Sequence, residues 1–225
     1  RDGLKIYKGN TLQMSFSAYK TSFSYESAGI GEFTSGTMSF DPTSNTLTLD
    51  GVTVTDGIIL WENTTDLKIA LSDNSKITCS TAMETLGYGQ SSTSYVRNPI
   101  ISRAYLDYVK NNAWGTKARL QFTSADQDPR SLILTKNETD DCIQGFDFPD
   151  NTPVDGTVSH TKTTDNENGG HAYMLISSEF YNLWVNNIPV HGIEGYPRGY
   201  KDNVTEETGE PKVTYNSTDK ILILS

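Results

Sequence analysis

Thr46-Leu47-Thr48-Leu49-Asp50-Gly51-Val52-Thr53-Val54-Thr55-Asp56-Gly57-Ile58-Ile59-Leu60-Trp61 runs on to Leu67-Lys68-Ile69-Ala70-Leu71, then Ser72-Asp73-Asn74-Ser75, then Ile77-Thr78-Cys79. Apolar and polar residues alternate in most of these short runs, which is the period of a strand with one buried face. Asp50-Gly51, Asp56-Gly57 and Ser72-Asp73-Asn74-Ser75 carry residues that accept turn geometry. Short strands at near-even spacing suit a β-solenoid, in which each rung stacks on the last, or alternatively a β-sandwich.

The same pattern extends outward. Met38/Phe40, Leu120/Phe122 and Leu132/Leu134 alternate with mostly polar neighbours, and Ser, Thr, Asn, Asp and Gly are abundant throughout. The chain therefore reads as all-β. One stretch differs: Asn98-Pro99 followed by Ile101, Tyr105, Tyr108 and Val109 has capping chemistry and approximate helical spacing, although Tyr95-Val96 and Ile100-Ile101 fit a hairpin equally. Residues 151–171 are poor in apolar side chains and read as a surface excursion.

Gly36-Thr37-Met38-Ser39-Phe40-Asp41-Pro42-Thr43-Ser44-Asn45-Thr46-Leu47-Thr48-Leu49 matches Pro211-Lys212-Val213-Thr214-Tyr215-Asn216-Ser217-Thr218-Asp219-Lys220-Ile221-Leu222-Ile223-Leu224 without a gap, at a constant offset of 175 residues. Aromatic, turn and alternating positions all coincide. Ile6-Tyr7-Lys8-Gly9-Asn10 stands opposite Leu183-Trp184-Val185-Asn186-Asn187 at nearly the same offset. The expected organisation is a solenoid repeat over 1–180, with an insert at 83–115, and a truncated second repeat over 181–225 that packs as a cap.

Tyr181-Asn182-Leu183-Trp184-Val185-Asn186-Asn187-Ile188 with Val213-Thr214-Tyr215-Asn216 to Leu224 resembles a module of exported proteins from gut Bacteroidetes. Residues 45–54 and 66–77 are similar to its continuation. The resemblance covers about two-thirds of the chain and departs over 83–114 and in the Thr/Asn-rich excursion. It implies a right-handed parallel β-helix and a domain described as carbohydrate-binding, with no catalytic residue to carry over.

The chain has 18 Lys+Arg against 28 Asp+Glu, a net charge of -10 over 225 residues. Such a field repels phosphate backbones, so nucleic acid is not an expected partner. No apolar run approaches the ~20 residues of a membrane span. The start at Arg1 reads as a processed or trimmed form of an exported protein, secreted, periplasmic or at the cell surface. Cys79 and Cys142 lack zinc spacing and read as core residues, with a bridge between them left open; Cys79 shares parity with Ile77.

No Gly-x-Ser-x-Gly occurs, and His160, His171 and His191 lie in polar surroundings. The enzyme alternative, a β-helical polysaccharide lyase or hydrolase, would rest on Asp126, Asp128 and Arg130, or on Asp140-Asp141, because clustered carboxylates can divide acid from base. Asp126-Gln127-Asp128-Pro129 also has the composition of a plain turn. Asp165 and Glu167, at alternate positions before Gly169, give a calcium alternative, without the later Glu such a loop needs; no other cofactor is expected.

Sugar binding needs aromatic faces beside planar hydrogen-bonding side chains. Trp114 follows Asn111 and Asn112 in an apparent loop, with Tyr105 and Tyr108 just upstream. These five residues form the expected ligand site of a non-catalytic, glycan-binding or adhesin-like surface module. Trp61 adds to the aromatic supply, whereas Trp184 reads as a strand residue equivalent to Tyr7. A featureless stalk is the structural alternative.

Overall fold

The computed structural model describes residues 3–8, 11–16, 22–24, 33–79, 83–84, 95–96, 98–124, 130–139, 141–147, 159–165, 171–177, 180–185, 188–191, 200–201, 213–216 and 218–224. Their elements begin with β1 (Leu4–Lys8), β2 (Thr11–Phe16), β3 (Ser22–Ser24), β4 (Phe33–Asp41), β5 (Thr46–Val54), β6 (Gly57–Trp61), β7 (Leu67–Leu71) and β8 (Ser75–Cys79). Then come β9 (Met83–Glu84), β10 (Tyr95–Val96), β11 (Ile100–Ser102), the helix α1 (Arg103–Asn111), β12 (Ala118–Ser124), β13 (Ser131–Lys136), β14 (Ile143–Gln144) and β15 (Phe146–Asp147). The remainder are β16 (Ser159–Asp165), β17 (His171–Ser177), β18 (Phe180–Val185), β19 (Ile188–His191), β20 (Tyr200–Lys201), β21 (Val213–Asn216) and β22 (Ile221–Leu224).

Parallel pairing organises the centre into a curled sheet arrangement. The first half of β5 pairs with β7, β7 with β12 and β12 with β15. The end of β5 pairs with β8, and β8 with β13. A third column runs β6, β11, β14. The strand β5 serves two columns because it turns a corner at Gly51, whose φ of +59° suits a residue without a Cβ; Asp56, at φ +61°, makes the next corner before β6. The Asp-Gly pairs in the sequence are thus the hinges of the curl.

The alternation explains why the columns hold. Leu47 pairs with Ile69, which pairs with Phe122; Val54 pairs with Ile77, which pairs with Leu134; Ile59 pairs with Ile100, which pairs with Ile143. Each stack lies in one buried core with Leu4, Ile6, Phe16 and Trp61. Burying a side chain of this size contributes about 1.5–3 kcal/mol. Polar groups link successive turns: Asn74 Oδ1 accepts from the Ser131 amide at 3.0 Å, and the Val52 amide donates to Ser75 Oγ at 3.0 Å. Antiparallel strands cover the columns, β1 on β6, β4 on β5, and β17 on β13 with β16 outside it. Parallel ladders of this kind are foreign to an antiparallel sandwich.

Three expectations change. The helix begins at Arg103, not at Pro99, because Ile100–Ser102 is a strand paired on both edges. That strand lies inside 83–115, so the stretch read as an insert contributes to the third column. Within the expected surface excursion, Ser159–Asp165 is a strand on β17. Its sequence, Ser159-His160-Thr161-Lys162-Thr163-Thr164-Asp165, holds no apolar residue, which is why apolar content missed it.

The two matched segments are both antiparallel hairpins of the same register. Phe40 faces Leu47 and Met38 faces Leu49; at the same offset Tyr215 faces Leu222 and Val213 faces Leu224. In the turns, the Thr43 amide donates to Asp41 Oδ1 at 2.9 Å and the Thr218 amide to Asn216 Oδ1 at 3.0 Å. Asn45 and Lys220 close them at φ +51° and +56°. The upstream pair agrees as well, with two residues between Lys8 and Thr11 and two between Val185 and Ile188.

Candidate functional site

The helix α1 crosses the face of β6 and β11 that points away from the main core. Both faces of Gly57–Trp61 are buried: Ile59 and Trp61 point into the main core, Ile58 and Leu60 into a second cluster with Tyr7, Cys79, Ile101 and Leu106. Tyr105 and Val109 pack against that cluster from the helix. Ser102 begins the helix in extended conformation, but its hydroxyl donates to the Gly145 carbonyl rather than capping the first turn. Gly145 has φ +84°, and a Cβ there would strike Ser102 Oγ and Tyr105. Only a glycine lets the chain pass this close beneath the helix start.

At the other end Asn112 adopts the left-handed conformation, φ +52°, and its amide donates to the Tyr108 carbonyl at 2.8 Å. This C-cap turns the chain back along the helix. A Cβ on Gly115 would lie 2.8 Å from Asp107 Oδ2, and Asp107 itself is held by Arg103 Nε at 3.2 Å one turn earlier. The reversal stacks Trp114 on Tyr108, ring centroids 4.3 Å apart and 10° from parallel, with Tyr105 6.2 Å away. Lys117 Nζ sits 4.5 Å from the Trp114 ring. The ring is thus contacted by both an aromatic face and an ammonium.

Tyr108, Asn111, Asn112 and Trp114 therefore share the C-terminal end of α1, with the Tyr105 ring reaching toward them from the first turn. Trp114 is 46% exposed, and Asn111 and Asn112 are exposed beside it. Lys117 was not anticipated, because its place over the ring follows from the left-handed turn at Asn112. An exposed cation–π contact is worth about 0.5–1 kcal/mol, so Lys117 is a displaceable cover.

The other expected sites do not assemble among the described residues. Asp126, Asp128, Asp140 and Glu167 lie outside them, as does the side chain of Asp165, which ends β16. Arg130 Nη1 is 3.8 Å from Asp73 Oδ1. Among the described residues no group of three or more His, Cys, Asp or Glu could hold a metal ion, and no helix is long and apolar enough to cross a membrane. Trp61 is a core residue, donating to the Thr65 carbonyl at 2.8 Å and meeting Phe40 edge-on. Cys79 and Cys142 are buried thiols not joined in a disulfide, and Cys142 Sγ donates to the Ala172 carbonyl at 3.4 Å. His160, His171 and His191 are strand residues whose side chains lie outside the description.

No protein-family model, curated protein or solved structure matches the chain.

Proposed function

We propose that the chain is a non-catalytic extracellular or cell-surface module, a short right-handed parallel β-helix of the exported family it resembles, and that the end of α1 binds carbohydrate. The curled parallel columns support the solenoid reading, and the shared registers of the two hairpin pairs support a second, truncated copy over 181–225 acting as a cap. The functional reading rests on one observation, the exposed Trp114–Tyr108 stack flanked by Asn111 and Asn112. A pyranose has apolar C–H faces for an aromatic ring and hydroxyls for carboxamides. Lys117 leaves the Trp114 ring when a sugar takes its place, and the ammonium can then meet an acidic substituent.

The test is a broad glycan array followed by calorimetry on any hit. Trp114→Ala is expected to weaken binding at least tenfold while the melting temperature stays close to that of the parent, since the ring is largely outside the core. An array without a hit, or a hit indifferent to Trp114→Ala, removes the carbohydrate reading.

A further inference from the structure

Lys136 ends β13 in phase with Leu132 and Leu134, so the period of the strand carries its side chain into the protein. It is 2% exposed, and its Nζ donates to Asn98 Oδ1 at 2.6 Å; Asn98 is 1% exposed. Both residues are fixed by the fold. Lys136 is paired between Cys79 on β8 and Ala172 on β17. Asn98 immediately precedes Pro99, whose carbonyl accepts the Ile59 amide at 2.8 Å, and Ile100, whose amide donates to the Cys142 carbonyl at 3.3 Å.

We propose that Lys136 and Asn98 join covalently, as an isopeptide cross-link between the end of β13 and the segment entering β11. In its neutral form the Lys136 amine adds to Asn98 Cγ, the carbon whose oxygen it already contacts. The Cγ–Nδ2 bond breaks, and an amine proton leaves with Nδ2 as ammonia. What remains is an Nζ–Cγ amide, so the reaction needs no oxidant, cofactor or energy source. Holding amine and carboxamide together replaces an encounter between two groups with an intramolecular step. Exclusion of water protects the electrophilic carbon from hydrolysis. The product is a neutral planar amide. The cross-link would bind the third column to the second across 38 residues of sequence.

The test is the intact mass of the purified, unfolded full chain, followed by tryptic mapping. The expected mass is one ammonia below that of the sequence. A branched peptide should join the fragment beginning at Asn98 to the one containing Lys136, where trypsin no longer cuts. Lys136→Arg keeps the cation and cannot react, so its chain should show the full sequence mass, a reading that holds whether or not the variant folds. The full sequence mass in the parent chain, with Lys136 open to an amine reagent after unfolding, would overturn the proposal. An ammonia loss that maps to Asn168-Gly169, where a succinimide can form, would overturn it equally.

Discussion

Tyr7 and Trp184 hold matching positions in two hairpins with the same two-residue loop, yet Tyr7 is 2% exposed and Trp184 is 44% exposed. The hairpins that follow repeat the contrast. Thr46 and Thr48 are half-buried on β5, whereas Ile221 and Ile223, at the same places on β22, are exposed. Register and turn chemistry are local properties, and both hairpins keep them. Burial is conferred by neighbours: β6, β11 and α1 close over Tyr7, and β7 and β8 pair with the free edge of β5. Two segments can share a conformation and differ in what that conformation stabilises.

The largest expected effect comes from cutting the aromatic that the two matched hairpins share. Phe40 packs edge-on against Trp61, 5.8 Å between centroids, and lies 6.3 Å from Phe16 in the main core. Phe40→Ala is expected to cost about 3–5 kcal/mol, read as a lowered denaturant midpoint for the whole chain. Tyr215→Ala removes the matching ring from β21, and its effect should stay local. Hydrogen exchange is expected to show lost protection in β21 and β22 while β5, β8 and β13 keep theirs. Equal losses of midpoint in the two variants would mean that both hairpins belong to one cooperative unit.

A second difference lies in what the two hairpins can ionise. Burial, with a smaller contribution from the charge of Glu62, pushes the Tyr7 phenol up to about 12 from 10.0. The neutral phenol is the form the fold accepts, so this contribution is complete below pH 10 and disappears as pH rises through about 12. The shift is worth up to about 3 kcal/mol. Alkaline titration followed by ultraviolet absorbance and circular dichroism should show a late ionisation step, assigned to Tyr7, that accompanies unfolding. Tyr7→Phe should remove that step and move the alkaline midpoint upward. Trp184, which cannot ionise, gives the second hairpin no such dependence.

The core was legible because alternation names a face: Leu47, Ile69, Phe122 and Leu134 are buried as their parity requires. Partners were less legible, since parity does not say which strand lies alongside. Ile100-Ile101 was legible only as one arm of a hairpin with Tyr95-Val96, because three residues after a proline are too few to show a period or to name β6 and β14 as partners. Trp114 and its neighbours were readable from composition around an aromatic; Lys117 was not, since its position depends on the left-handed turn at Asn112. Lys136 could have been read inward from its phase with Leu134. Its partner Asn98, 38 residues away, is a product of the stacking alone. Trp184 shows the limit from the other side: equivalence to Tyr7 predicted its strand and carried no information about its exposure.

The smallest expected effect lies in the two matching turns, which use different chemistry for one task. Asp41 accepts from the Ser44 hydroxyl at 2.6 Å and the Thr43 amide at 2.9 Å, and these hydrogen bonds, the hydroxyl first, hold its carboxyl below the ordinary 3.8. Asn216 receives the Thr218 and Asp219 amides at 3.0 and 3.1 Å through a carboxamide that does not titrate. The ionised form of Asp41 is the one the folded turn favours. Its contribution is therefore present above pH 3.8 and is lost as pH falls through the depressed value. Acid titration followed by amide exchange should loosen the Thr43 amide while leaving the Thr218 amide unchanged. Asp41→Asn, which copies the second turn into the first, should abolish the difference. A Thr43 amide that ignores acid would mean that the Asp41 carboxylate has no hold on its turn, and that the shared backbone alone closes both hairpins.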